Sequence, residues 1–166
     1  MSVANIWTAL KGKYAAHVTG SQPPVIDVAD WTALGRKYVT CYCAADALAA
    51  TDIERALFTT TPNYTGGLTL YGAYLLPDAA VTANASHYTT LQLGTRPAAG
   101  GGSQTAIGTA LTTATVSWVA LSQVTLYTST TGTAVAQNIG ITLARTHTGN
   151  GVVIPNMRVM LEFGEA

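Results

Sequence analysis

The sequence predicts an all-β protein, a jelly-roll-like antiparallel β-sandwich that follows an N-terminal arm containing a short helix. Hydrophobic residues make up 48% of the 166-residue chain, which is enough to build a core, and charged residues make up only 10%. Thr, Ser, Gly, Asn and Gln take the place of charged residues, and β-branched Thr favours a pleated, half-exposed surface. Roughly eight short apolar or alternating segments, separated by turn signals, are typical of a sandwich or a barrel.

The N-terminal arm is assigned to residues 1–36 and the sandwich domain to residues 37–166. An apolar stripe at helical spacing, with Ser2 as a candidate N-cap, predicts the short amphipathic helix of the arm. The Pro23-Pro24 pair then indicates a break. The stripe comprises Val3, Ile6, Trp7, Leu10 and Tyr14.

The last strand of the sandwich domain has the clearest pattern, because Met157, Val159, Leu161 and Phe163 alternate with other residues. A flexible loop is expected at 97–103, a turn at 129–133 and a hairpin turn at 148–151. The strands predicted between these breaks are 38–43, 53–60, 68–76, 87–95, 115–120, 123–127, 138–144 and 157–163.

Residues 51–58 carry conflicting signals. Thr51-Asp52-Ile53-Glu54 fits a helix capping box. The following residues, up to Pro62, are rich in Thr and favour a strand. We expect a strand from Ile53 to Thr60, with a helix over 51–58 as the alternative.

No catalytic, cofactor-binding or metal-binding residues are predicted. Cys41 and Cys43 share one face of a strand and are expected to be small apolar core residues rather than a disulfide or a zinc site. The sequence has no nucleophile elbow, no metal-ligand motif and no phosphate-binding loop. A small hydrolase remains an alternative, if the tertiary structure brings together a pair of acids or a His-activated nucleophile.

Charge and hydropathy narrow the expected partners. The formal net charge is +0, and proteins near zero net charge tend to associate. Four basic residues against two acidic ones give residues 1–37 a formal charge of about +2, which is too small to indicate nucleic-acid binding. No apolar run reaches the length of about 18 residues that a membrane span needs, and no signal peptide is recognised. We therefore expect a protein made in a cytosol.

The arm is the predicted partner-binding segment. Its apolar and aromatic residues would act as anchors on a neighbouring protein, and its lysines would suit an acidic partner. The candidate partner-binding residues are Ile6, Trp7, Leu10, Lys11, Lys13, Tyr14 and Trp31.

Residues 38–163 resemble the small jelly-roll decoration, or cement, proteins of tailed-bacteriophage capsids. The resemblance rests on the order of four sequence cues. These are Ala50-Thr51-Asp52-Ile53-Glu54-Arg55-Ala56-Leu57-Phe58, Gly72-Ala73-Tyr74-Leu75-Leu76-Pro77-Asp78, His87-Tyr88-Thr89-Thr90-Leu91-Gln92-Leu93, and Gly149-Asn150-Gly151 ahead of Val152-Val153-Ile154-Pro155 and the alternating last strand.

The resemblance implies a non-enzymatic protein on the outside of an icosahedral head, commonly a homotrimer that binds the major capsid protein and stabilises the shell. It would be located in the virion after synthesis in the host cytoplasm. The alternative is a receptor-binding or glycan-binding module of a phage fibre or tail. That function would use tyrosines on or beside the strands: Tyr64, Tyr71, Tyr74, Tyr88 and Tyr127.

Overall fold

The computed structural model describes residues 36–45, 52–60, 68–97 and 102–165. This part of the chain is all-β, with nine strands and no helix. The strands are β1 (Lys37–Cys43), β2 (Ile53–Thr59), β3 (Leu68–Pro77), β4 (Tyr88–Pro97), β5 (Thr105–Ala106), β6 (Leu111–Thr112), β7 (Val124–Val135), β8 (Ile139–Thr148) and β9 (Met157–Glu165).

The strands form two antiparallel sheets. The first sheet has the order β1-β9-β3-β7, and the second has the order β2-β8-β4-β5, with β6 also paired to β4. Strands β7 and β5 therefore lie at one lateral edge of the molecule, and β1 and β2 lie at the other. This arrangement is consistent with the predicted β-sandwich.

The core lies between the two sheets. Leu161 of β9 and Leu70 of β3 are fully buried, as is Ile141 of the second sheet. The rings of Phe58 and Phe163 meet across the sheets with centroids 5.2 Å apart. Apolar side chains at every second position account for this, because successive side chains of a strand point to opposite faces.

The conflict at residues 51–58 is resolved in favour of the strand. Residues 53–59 form β2, which pairs with β8 in a register that runs from Ile53 opposite Arg145 to Thr59 opposite Gly140. A capping box stabilises a helix by only about 1 kcal/mol. Pairing with a central strand and burial against the core override that local preference.

The strand predicted at 115–120 is wrong. These residues belong to the connection between β6 and β7, and their one ladder contact is an isolated bridge between Trp118 and Val81. Trp118 is buried. The buried Trp118 side chain therefore anchors a loop to the core, and the apolar residue does not belong to a strand.

The turn predicted at 129–133 is also wrong, because β7 continues from Val124 to Val135 without ending there. The register between β3 and β7 shifts near this point, where Leu70 lies opposite Thr133 but Gly72 lies opposite Thr128. Gly132 has a φ of +75°. The turn-like residues therefore form a β-bulge within one long strand.

Three connections at one end of the sandwich are hydrogen-bonded to one another. These are residues 78–87, 113–123 and 149–156. Ala83 N donates to Ser117 Oγ at 2.9 Å, and Asp78 N donates to the Asn156 carbonyl at 2.8 Å. Leu121 N donates to the carbonyl of Pro77, the last residue of β3, at 2.8 Å. We call this set the loop end of the sandwich. Its backbone is held by the same kind of bonds that hold the sheets.

Candidate functional site

The seven predicted partner-binding residues of the arm lie outside the described residues. The same is true of the predicted arm helix and of Tyr64. The arm assignment therefore stays a prediction. Where the described chain begins, Arg36 is held against the first sheet, as set out below.

The two cysteines are free thiols on the inner face of β1. Cys43 is buried, and Cys41 Sγ donates to the carbonyl of Leu57 at 2.8 Å, which links β1 to β2. Burial raises the pKa of both thiols above the ordinary value. They therefore remain protonated near neutral pH, where a thiolate would be needed for nucleophilic chemistry.

One carboxylate and one histidine come together where β2 begins and β8 ends. Asp52 Oδ1 lies 2.9 Å from His147 Nδ1 and accepts a hydrogen bond from the His147 backbone N–H at 3.0 Å. His147 Nε2 is buried without a hydrogen-bond partner, so no hydroxyl or thiol of the described chain engages it. His87 has a different role, since its Nδ1 accepts from Asn150 N at 3.0 Å and joins two connections of the loop end.

The described residues contain no group of three His, Cys, Asp or Glu side chains that could hold a metal ion. No helix among them has the length and apolarity to cross a membrane.

An open pocket of about 470 Å³ lies on the outer face of the first sheet. Glu162 of β9 is at its base, 5% exposed. Its Oε1 lies 2.5 Å from Arg36 Nη1, and its Oε2 accepts from the Tyr74 hydroxyl at 3.2 Å. The Arg36 guanidinium lies 4.5 Å from the centroid of the Tyr71 ring. Two of the predicted glycan-binding tyrosines therefore line the pocket.

One glycine of β3 and one of the neighbouring β9 make room for the two tyrosine rings. A Cβ on Gly72 would lie 2.7 Å from the Tyr74 hydroxyl, and one on Gly164 would lie 2.7 Å from the ring of Tyr71. Tyr71 is thus covered by Gly164 and by the guanidinium of Arg36. Sugar stacking needs an open aromatic face, so Tyr71 is poorly placed for it.

The buried carboxylate sets the electrostatics of this cluster. Burial raises the pKa of Tyr74 and of Tyr38, and the neighbouring Glu162 carboxylate raises both further. The hydrogen bond to Glu162 raises the pKa of Arg36. The tyrosine hydroxyls therefore stay neutral donors, and Arg36 stays charged. In this cluster Glu162 binds Arg36 through Nη1, while Arg36 Nε is buried without a hydrogen-bond partner among the described residues.

Charge is distributed unevenly around the sandwich. Residues 97–144 contain no Asp, Glu, Lys, Arg or His. This segment includes β5, β6, all of β7 and the connection 113–123. We call these four elements the uncharged side. The other side, which we call the charged side, consists of the edge strands β1 and β2 together with β9, the neighbour of β1.

The uncharged side also exposes large apolar side chains. Within residues 113–123, Val119 is 68% exposed, Leu121 is 65% exposed and Val116 is 50% exposed. Leu121 has a φ of +57°, a conformation that is unfavourable for a branched, bulky side chain. Strain and exposure at a single position are typical of functional surfaces.

The sequence interpretation missed the uncharged side. The signal was present as a long segment without Asp, Glu, Lys, Arg or His, but that segment was divided among five predicted elements. Only the strand order brings β7 and β5 to the same lateral edge, so that the absence of charge becomes a property of one surface.

Comparison with known proteins gave no match: no family model, no curated protein and no solved structure is similar to this chain. Its function therefore has to be argued from the geometry.

Proposed function

We propose that this protein is a non-enzymatic structural component of a virion. In this proposal it is a jelly-roll decoration protein that binds the major capsid protein on the outside of a tailed-phage head. It acts as a homotrimer, stabilises the shell after synthesis in the host cytoplasm, and needs no cofactor and no nucleic acid.

The strand order supports the jelly-roll part of the proposal. If the two-residue strands β5 and β6 are counted as one broken strand, eight strands divide into two sheets of four. The chain moves between the sheets so that strands close in sequence seldom pair, as in a double Greek key. Jelly rolls of this kind occur in viral capsid and lectin domains.

The uncharged side is the observation that carries the structural function. A decoration protein needs contact area, shape complementarity and repetition by symmetry, because many weak contacts then add to strong attachment. A side without ionisable groups loses no charge solvation when a neighbour covers it. The exposed Val116, Val119 and Leu121 supply apolar area for such contacts.

Binding to capsids tests the proposal directly. Purified full-length protein is mixed with phage heads that lack their decoration protein, and bound protein is measured by co-sedimentation. We expect saturable binding at a fixed number of copies per head, and heads that resist heat or osmotic shock better than bare heads. Absence of saturable binding to such heads would overturn the proposal.

The arm can be tested on the same heads. Because Trp7 and Trp31 are the largest apolar residues of the arm, changing both to Ala in the full chain should lower capsid occupancy at least about tenfold. Tyr42→Ala is the matched control, since Tyr42 is an aromatic residue of the sandwich that is 64% exposed. Full occupancy by the double variant would remove the arm from the proposed interface.

A glycan-binding module is the second candidate, and the pocket on the first sheet favours it. Tyr74 and the hydroxyls of Thr128 and Thr130 line that pocket beside Glu162. A glycan array probed with the full-length protein and with Tyr74→Ala distinguishes the two functions. Binding that disappears in the variant would support the glycan module. Because the Arg36 guanidinium already lies over the Tyr71 ring, we place this function second.

A further inference from the structure

We propose that the uncharged side is the surface by which one copy of this chain binds another. The contact would consist of β7 and the connection 113–123 against a neighbouring copy. This inference deepens the self-association included in the proposed function, but it concerns the protein in solution and does not require a capsid.

Strand β7 supplies the first argument. It is twelve residues long and has a neighbour on only one side within the described chain, which is β3. Edge strands present unpaired backbone groups, and soluble proteins usually protect them with Lys, Pro or other devices. Strand β7 has no charged residue and no Pro, and its pairing with β3 is irregular at two places, near Gly132 and near Leu126.

The connection 113–123 supplies the second argument. It is anchored by the buried Trp118, whose backbone pairs with Val81, and by the bond from Leu121 N to the Pro77 carbonyl. Its exposed valines and leucine are thus presented on a fixed backbone. A fixed apolar surface loses little conformational freedom on binding.

The charge distribution argues for a second copy as the occupant. A partner recognised by charge complementarity would require charged residues on this side, and β5, β6, β7 and the connection 113–123 carry none. A copy of the same chain has a formal net charge of +0 and brings an equally uncharged side. Contact between copies therefore buries no unpaired charge, and interface cores are depleted in charged residues. Backbone pairing along an edge strand needs no particular side-chain charge.

The test measures the mass of the full-length protein in solution, without heads, by light scattering and sedimentation velocity over a range of concentrations. Two variants place a lysine on the uncharged side, Thr125→Lys on β7 and Val119→Lys in the connection. Two matched controls place a lysine elsewhere: Thr40→Lys on β1, which is the other edge of the same sheet, and Val153→Lys in another connection of the loop end.

We expect a wild-type oligomer whose dissociation concentration rises at least about tenfold in both uncharged-side variants. The controls should stay within about twofold of wild type. A wild-type protein that is monomeric at every concentration would overturn the inference, as would an oligomer that tolerates both variants.

If a variant fails to fold, hydrogen exchange of the wild-type protein locates the contact between copies without any substitution. Protection of backbone amides in 113–135 should increase with protein concentration, while amides of β1 stay unchanged. Protection that increases at β1 instead would overturn the inference. A protein that forms oligomers in solution but does not bind capsids would contradict the proposed function and leave this inference standing.

Discussion

The two lateral sides of the sandwich differ in whether they carry charged residues. On the charged side, ionisable residues are paired within the molecule, as Arg36 with Glu162 and Glu54 with Arg96 of β4. The uncharged side has no charged residues that could form ion pairs, and apolar side chains there are exposed to solvent. The difference shows that one edge pairs charged side chains within the molecule, as in these two ion pairs. The other edge leaves backbone and apolar groups that a neighbour can satisfy.

The largest effect is expected from removing the buried carboxylate of the charged side. Glu162→Ala leaves the Arg36 guanidinium and the Tyr74 hydroxyl without their acceptor, which should lower the free energy of unfolding by about 1–3 kcal/mol. Glu162→Gln keeps an acceptor oxygen and should lose less. Chemical denaturation measures both.

A threonine of the same sheet provides the control for this prediction. Thr128 lies on the uncharged side and is exposed, so Thr128→Ala should change stability by no more than about 0.5 kcal/mol. If Glu162→Ala lowers the free energy of unfolding as little as Thr128→Ala does, the ion pair between Arg36 and Glu162 does not stabilise the charged side.

A smaller effect of opposite sign is expected at Leu121. Asn tolerates a positive φ better than Leu does, so Leu121→Asn should stabilise the folded monomer by about 1 kcal/mol. The same change removes an exposed apolar group and should weaken self-association. Thermal unfolding of the dilute protein and light scattering measure the two outcomes.

Val119→Asn is the matched control for Leu121→Asn, because Val119 is equally exposed but is not among the residues with positive φ. It should weaken association without any gain in stability. A stability gain of the same size in both variants would show that strain at Leu121 is not the cause.

The smallest effect concerns pH and the second ion pair. The hydrogen bond from Arg96 holds the pKa of Glu54 below its ordinary value of 4.5. The stabilisation is therefore present above about pH 4.5 and is lost as the pH falls through the lowered pKa. Because both side chains are partly exposed, we expect a contribution of about 0.2–1 kcal/mol.

Glu54→Gln tests this pH dependence. The variant should be slightly less stable than wild type at pH 7, and the difference should shrink as the pH is lowered toward 3. Arg96→Gln should behave in the same way, since it removes the partner that lowers the pKa. A stability difference that does not change with pH would contradict the assigned cause.

Regular alternation allowed most strands to be predicted from sequence. Strand β9 was clear because Met157, Val159, Leu161 and Phe163 occupy one face, and all four are buried. Alternation works where one face of a strand is buried and the other is not. It failed at 115–120, where Trp118 is buried in a loop, and at 129–133, where a bulge has the composition of a turn.

The candidate surfaces were much harder to predict. The Glu162 cluster joins Arg36, Tyr71 and Tyr74, which are far apart in the sequence and meet only because β9 lies between β1 and β3. The pairing of Asp52 with His147 has the same origin. Register and strand order depend on long-range contacts that no local pattern encodes.

The sequence by itself determined that this chain is rich in β-structure, poor in charge and without a recognisable catalytic motif, because composition and alternation are local properties. Tertiary structure decided which residues share a surface. It placed all of β7 at an edge and set Leu121 on an anchored loop. It also put β7 and β5 at the same lateral edge, since pairing between distant strands fixes which edge remains open.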